Sequence, residues 1–509
     1  MATTRVSDPA GPPAQQGPAA RPNLLLIVAD QLRADILPCY GGRICQAPHL
    51  AALAAQSVVF ERAYTPQAVC APARASLVTG RYPHNHRVTG NAGRLLNGVL
   101  PDHPSLLSRR LERLGYERWY GGKWHLGGPE NLPRDLGLPG QQFPGHGGGG
   151  YRYPEYEAYL ACHGWTIAFA SGPRQIGEHR YGTLAGPLEA DVPHFLVDEA
   201  LAFLRRWRQG GLGEGSGREA PQRPPFFLWL NFWGPHEPYF APQALLDQYR
   251  DVAIPPWPDF APNEVWPAGT RAGPRVHDLK RPTDSFGRGW DYWEPAVRHY
   301  FAAMTMIDYE IGRLLAALED LGQLDNTVIV FTADHGESLG AHGLQDKGYF
   351  MYECIYRVPL LVRAPSARPR REGALVSLID LCPTLLDLAG DPDPETGRDG
   401  VSLVPLLQET ERGMAARRPV LVAEFHGMLL PYTQRMVTDG RWKYVWNMGD
   451  LDECYDLAED PWEQTNLAPA RPVRQRELQR ELLAWMERTG DPARAYYARH
   501  LECGERQWR

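Results

Sequence analysis

Four apolar runs in the 509-residue sequence stop at residues that bind ions. LLLIVA (24–29) runs into Asp30 and Gln31, RWYGG (118–122) into Lys123 and His125, FFLWLNFW (226–233) into His236, and TVIVFTA (327–333) into Asp334 and His335. Runs of this length are expected as buried strands, and in open α/β sheets ligands bind beyond the carboxyl ends of the strands. Taken singly, each polar end also reads as the cap of a following helix. Four together point to one site. Asp30, Asp334 and His335 offer two carboxylates and an imidazole, a set for Ca²⁺ or Mg²⁺ that also admits Mn²⁺ or Zn²⁺, and Gln31 can add a carbonyl oxygen. The competing reading of Asp334-His335 is a cap and a surface imidazole.

The segment Cys70-Ala71-Pro72-Ala73-Arg74, followed by ASLVTGRYP, carries a second signal. Pro72 suits the first turn of a helix and Gly80 its end. Cys70 then stands at the positive end of the helix dipole with Arg74 one turn on, a place for an anion and for a nucleophile that carries negative charge. A bare thiolate is a poor companion for a hard cation. Oxygen at position 70 would suit it better.

To bring these residues together the chain needs a sheet. The runs at 24–29, 58–60, 118–122, 226–233, 327–333 and 359–364 alternate with helical patterns at 105–114, 197–208, 296–321 and 378–389. That alternation predicts an α/β fold with a large, mostly parallel (mixed) sheet sandwiched by helices. After about residue 395 the pattern changes to strands at 419–425 and 441–446 and a charged helix near 472–488, which predicts a smaller C-terminal α+β subdomain. The expected division is a disordered tail (1–20), a catalytic domain (21–395) and the C-terminal unit (396–509). Gly 51 and Pro 47 collect in loops, and 137–153 and 209–225 read as flexible insertions.

Composition narrows the function. With Lys+Arg 53 against Asp+Glu 60 and a net charge of -7, the chain lacks the basic footprint of a nucleic-acid binder. No apolar stretch reaches the roughly 20 residues of a membrane span. The first twenty residues lack the basic start and apolar segment of a secretory signal, and eight irregularly spaced Cys do not make a disulfide framework; a cytoplasmic location is expected. Cys39 and Cys45 read as loop or core thiols rather than a zinc pair.

At this point the sequence resembles the sulfatases. CAPAR (70–74) matches the C-x-P-x-R signature whose Cys is oxidised to formylglycine, and SLVTGRYPHN continues that element. RPNLLLIVADQLRAD (21–35), GGKWHLG (121–127), GPHEPY (234–239), DNTVIVFTADHGESLGAHGLQDKG (325–348) and CYDLAEDPWEQTNLA (454–468) follow in the family order. The resemblance implies an alkaline phosphatase/sulfatase-like fold and hydrolysis of a small organic sulfate monoester. It implies that Cys70, as formylglycine hydrate, is nucleophile and metal ligand, steadied by Arg74. Asp30, Asp334 and His335, with Gln31 beside them, would hold one divalent cation, Ca²⁺ ahead of Mn²⁺ or Mg²⁺. Lys123, His125, His236 and Lys347 would bind the transferring group and move protons: His125 takes the proton whose loss expels sulfate, and His236 or Lys347 protonates the departing alcohol. The implied partners are the substrate and, during maturation, a formylglycine-generating enzyme.

The Asp30-Gln31 and Asp334-His335 pairs look more like the branch of choline sulfatases and phosphonate monoester hydrolases. Lys123-x-His125 resembles the sulfatase pattern and favours sulfate esters over phosphonates or phosphodiesters. A catalytically silent anion-binding protein is the reading from another class, should Cys70 stay unconverted. His84, His86 and Asn91 are further candidates for the pocket. Trp165, Trp266, Trp290 and Trp293 either wall a leaving-group site or pack their loops down. The segment YYARHLECGERQWR (496–509) is a candidate contact in a homo-oligomer.

Overall fold

The computed structural model describes residues 21–506 apart from 93–95, 128–130, 146–147, 178, 211–222, 261–287, 392–396, 411–412, 414–416 and 429–430. The expected tail 1–20, Trp266, and much of the loops 209–225 and 254–290 lie outside the described residues.

The strand β1 (Asn23–Asp30) is buried along its whole length, which is why it reads as one unbroken apolar run. It lies between β6 (Phe226–Pro235) and β8 (Thr327–Ala333), parallel to both. Beyond β6 comes β3 (Glu117–Gly122), also parallel; beyond β8 comes β10 (Leu360–Arg363), antiparallel. β2 (Val58–Tyr64) and β11 (Arg370–Ser377) complete the order β11-β2-β10-β8-β1-β6-β3, with β9 (Arg357–Val358) paired to β2. The sheet is therefore large, mixed and mostly parallel, as expected. Helices Pro48–Ala54, Leu107–Arg113, Val192–Gly210, Trp290–Asp320 and Leu381–Leu388 supply the apolar residues that pack with it in one core.

Two helices begin earlier than their patterns predict. The helix expected from 296 starts at Trp290 and carries Pro295 inside it. A proline there costs about 3 kcal/mol, which burial of a large aromatic side chain such as Trp293, 1% exposed, offsets to a similar extent. The helix expected from 197 starts at Val192, where the Asp191 carboxylate accepts the first backbone N–H.

A small sheet of β4 (Ala168–Ile176), β5 (His179–Ala185) and β7 (Tyr239–Pro242) flanks the main one. In the segment 137–153, expected as a flexible insertion, the described residues Leu138, Phe143 and Tyr153 are instead buried, and Phe143 stacks on Tyr153 at 4.2 Å. At the C-terminus β12 (Leu421–Gly427), β13 (Pro431–Thr438), β14 (Trp442–Asn447) and β15 (Glu453–Asp456) form an antiparallel meander. Helix Val473–Thr489 covers it through Leu478, Leu482, Trp485 and Met486. Residues 496–506 of the segment offered as an oligomer contact lie in helix Arg494–Arg506, with Tyr497 buried against Trp446. Among the described residues no helix is long and apolar enough to cross a membrane.

Candidate active site

Each expected strand end delivers its residue to one place. Asp30 closes β1, Asp334 and His335 follow β8, and all three are fully buried. Cys70 opens the helix Cys70–Thr79, all ten residues of which are buried, and Gly80 ends it in the left-handed conformation at φ 68°. Asn91 accepts the backbone N–H of Ala71 at 3.1 Å, so it steadies the helix start that presents Cys70. Lys123 follows Gly122, whose φ of 94° and close approach to the Asn231 carbonyl leave no room for a Cβ.

Oxygen, nitrogen and sulfur from Asp30, Cys70, Asp334 and His335 lie within 4.8 Å of one another. The two carboxylates divide their oxygens. The Oδ2 atoms accept from Arg74, Asp30 from NH2 at 3.1 Å and Asp334 from Nε at 3.0 Å. The Oδ1 atoms face His335 Nε2, at 3.9 Å from Asp30 and 3.8 Å from Asp334. His335 Nε2 is 3.2 Å from Cys70 Sγ, and Lys123 Nζ donates to that sulfur at 3.5 Å while pairing with Asp30.

Charge tunes the cluster. Burial alone raises the Cys70 thiol, but Lys123, Lys347 and His335 outweigh it and hold the thiol well below its ordinary range. Asp30 is raised by burial and by Cys70, yet Lys123, His236 and Arg74 bring it below the usual carboxylate range. Burial, reinforced by Lys123, keeps His125 below the ordinary imidazole value despite the neighbouring Cys70. These are the strong perturbations expected of a working site.

Gln31 follows Asp30 and turns its side chain to Lys347. It sits at φ 59°, its Oε1 accepts from Lys347 Nζ at 2.6 Å, and its Nε2 donates to Glu337 and Asp346, so its carbonyl serves Lys347 rather than the four donors. Lys347 also donates to His236 Nε2 at 2.9 Å. His84 and His86 do not line the pocket. His84 bonds Glu424 of β12 at 2.6 Å, which ties this segment to the C-terminal sheet, and His86 bonds Ser76 of the Cys70 helix at 2.9 Å. Trp293 is buried, Trp290 Nε1 donates to the Ile254 carbonyl at 2.7 Å, and Trp165 stacks on His163 at 4.5 Å.

Two residues beside the site were given no role by the sequence reading. Glu337, fully buried, accepts from Gln31 and from Tyr239 at 2.8 Å. Asn231, inside β6, accepts from Arg74 NH1 at 2.9 Å. A lone Asn within an apolar strand was the signal, because a buried amide must find a partner.

Comparison with known proteins agrees with this geometry. The sulfatase family model matches residues 22–391, and the model of the N-sulphoglucosamine sulphohydrolase C-terminal region matches 340–489. Choline-sulfatase of Rhizobium meliloti is 32% identical over 473 residues, covering 90% of this chain and 85% of its own. The sulfatase YidJ of Escherichia coli is 30% identical over 482 residues, covering 94% and 89%. The crystal structure of phosphonate monoester hydrolase of Agrobacterium radiobacter aligns with a TM-score of 0.71 at 26% identity, over 92% of this chain and 96% of that one. The chain belongs to the sulfatase family, within the alkaline phosphatase-like superfamily.

Proposed function

We propose that the protein hydrolyses a sulfate monoester to an alcohol and inorganic sulfate, with position 70 working as formylglycine beside one divalent cation, Ca²⁺ ahead of Mn²⁺ and Mg²⁺. The observation that carries the reading is the convergence of Cys70 with Asp30, Asp334 and His335 under a ring of Arg74, Lys123 and Lys347. The donor set fits such a cation: two carboxylate oxygens and an imidazole nitrogen already face one another, and an oxygen at position 70 would complete a hard site. A bound cation supplies Lewis-acid polarisation of the transferring oxygens. Formylglycine supplies, as its hydrate, one hydroxyl to attack sulfur and a second through which sulfate leaves.

The chain's own residues do the remaining work. Arg74 fixes the outer carboxylate oxygens, and Lys123 brings positive charge to position 70. His125, whose imidazole burial holds below its ordinary value, removes a proton from position 70. Lys347, held by Gln31 and touching His236 Nε2, delivers a proton with His236 to the departing alcohol oxygen. A formylglycine-generating enzyme would act on Cys70 during maturation.

A second reading, hydrolysis of phosphonate monoesters or phosphodiesters, is favoured by one observation: His335 among the donors of a fold that aligns with a phosphonate monoester hydrolase. Assay of a sulfate and a phosphate ester of the same alcohol, with mass analysis of the peptide containing residue 70, tests both. A higher kcat/KM on sulfate with a converted Cys70 supports the first reading. Preference for phosphate overturns it, and an unconverted thiol without turnover leaves an anion-binding protein.

A further inference from the structure

We infer that Asn231 is a positioning residue that holds Arg74 across the two ligand carboxylates and thereby sets the affinity of the site for its cation. The inference rests on the reading of Asp30, Asp334 and His335 as cation ligands.

The guanidinium group of Arg74 has only donors, and every direction it points must meet an acceptor. Its Nε and NH2 take Oδ2 of Asp334 and Asp30, which leaves the two Oδ1 atoms turned toward His335 and Cys70. Its NH1 takes the Lys123 carbonyl at 2.7 Å and Asn231 Oδ1 at 2.9 Å. Both NH1 acceptors lead to residue 231, because the Asn231 carbonyl in turn accepts the Lys123 backbone N–H at 3.1 Å. Asn231 is fully buried between two parallel neighbours, level with Val28 of β1 and Gly122 of β3. It therefore has little freedom to move, and Arg74 is anchored to it.

The chemistry also fixes which half of the amide matters. A guanidinium cannot accept, so the atom facing NH1 is the oxygen. The Nδ2 atom is buried with no partner among the described residues. The site uses the acceptor and not the donor. An acceptor of the same shape should preserve the site, and an apolar side chain of the same shape should not. Without it NH1 keeps only the Lys123 carbonyl, and the plane that aligns both Oδ2 atoms is free to tilt.

Calorimetric titration of the metal-stripped protein with CaCl₂ and MnCl₂ tests this, with melting temperature recorded as a check on folding. Asn231→Leu is expected to weaken binding by about 10–100-fold, the usual loss when a residue that orients ligands is removed, while Asn231→Asp stays within about threefold. Asn231→Ala carries the same comparison should Asn231→Leu not fold. Wild-type affinity in Asn231→Leu, or an equal loss in Asn231→Asp, overturns the inference. Wild-type protein that binds neither ion overturns the cation reading itself, and that result is distinct because it is obtained before any variant is made.

Discussion

His335 Nε2 lies 3.2 Å from the sulfur of Cys70, and its other nitrogen, Nδ1, lies 2.9 Å from the Gly336 carbonyl. A carbonyl only accepts, so Nδ1 carries the hydrogen and Nε2 turns its lone pair toward position 70 when the ring is neutral. The imidazole is therefore oriented for a cation by its own backbone.

Position 70 is the first to test. Cys70→Ala should lower turnover of an organic sulfate by at least about 10³-fold, because the nucleophile is lost. Its melting temperature should move by no more than about 3 °C, because little core volume changes. Retained turnover would remove Cys70 from the chemistry.

Removal of metal gives a second result. Chelator-treated protein should lose turnover and melt lower, and Ca²⁺ at about one hundred times its Kd should return roughly 2.7 kcal/mol of stability. Asp334→Ala should show no such recovery in a thermal titration. Identical melting curves for stripped and loaded wild type would contradict the proposed ion.

Glu424 predicts a pH signature away from the catalytic cluster. It lies buried between His84 Nδ1 at 2.6 Å and His426 Nε2 at 2.7 Å. Burial would raise its carboxyl, but His84 and His426 hold it well below the ordinary 4.5, while Glu424 lifts His84 above 6.5 against burial. A depressed carboxyl stabilises above its unfolded value and loses that as pH falls through the folded one. A raised imidazole stabilises below its unfolded value and loses that as pH rises through the folded one. Both contributions are complete between 4.5 and 6.5. Glu424→Gln should therefore cost most in that window, about 3–5 kcal/mol, with the gap from wild type closing on either side. Melting curves from pH 2 to 9 decide it: a constant gap means the pair is not ionised in the fold.

Gly122→Ala should damage both fold and site. A Cβ there would sit 1.7 Å from the Asn231 carbonyl oxygen, on a backbone at φ 94°. The displacement should cost about 2–4 kcal/mol in urea unfolding and lower turnover by shifting Lys123. Wild-type stability would mean that the Lys123–Asn231 contact is not needed.

The strands that end at Asp30, Lys123, His236 and Asp334 were legible because buried parallel strands are apolar throughout and stop where the site begins. Less legible were strands with polar residues inside. In β13, Arg435 is buried only because Asp491, 56 residues away, pairs with it at 2.6 Å, and local patterning carries no trace of such a partner. Proximity in sequence also misled: His84 and His86 follow the helix of Cys70 but turn toward Glu424 and Ser76. The partner of Gln31 was equally hidden, since Lys347, which donates to its carbonyl oxygen, lies 316 residues away.

The contact between Cys70 and His335 joins residues 265 positions apart. At ribosomal speeds of roughly 5–20 residues per second, about 13 to 53 seconds of translation separate the emergence of one from the other. For that interval the thiol has no β8 to close over it, whereas in the finished fold Cys70 is only 1% exposed. Any enzyme that must reach this side chain meets an open target on the nascent chain and a sealed one afterwards.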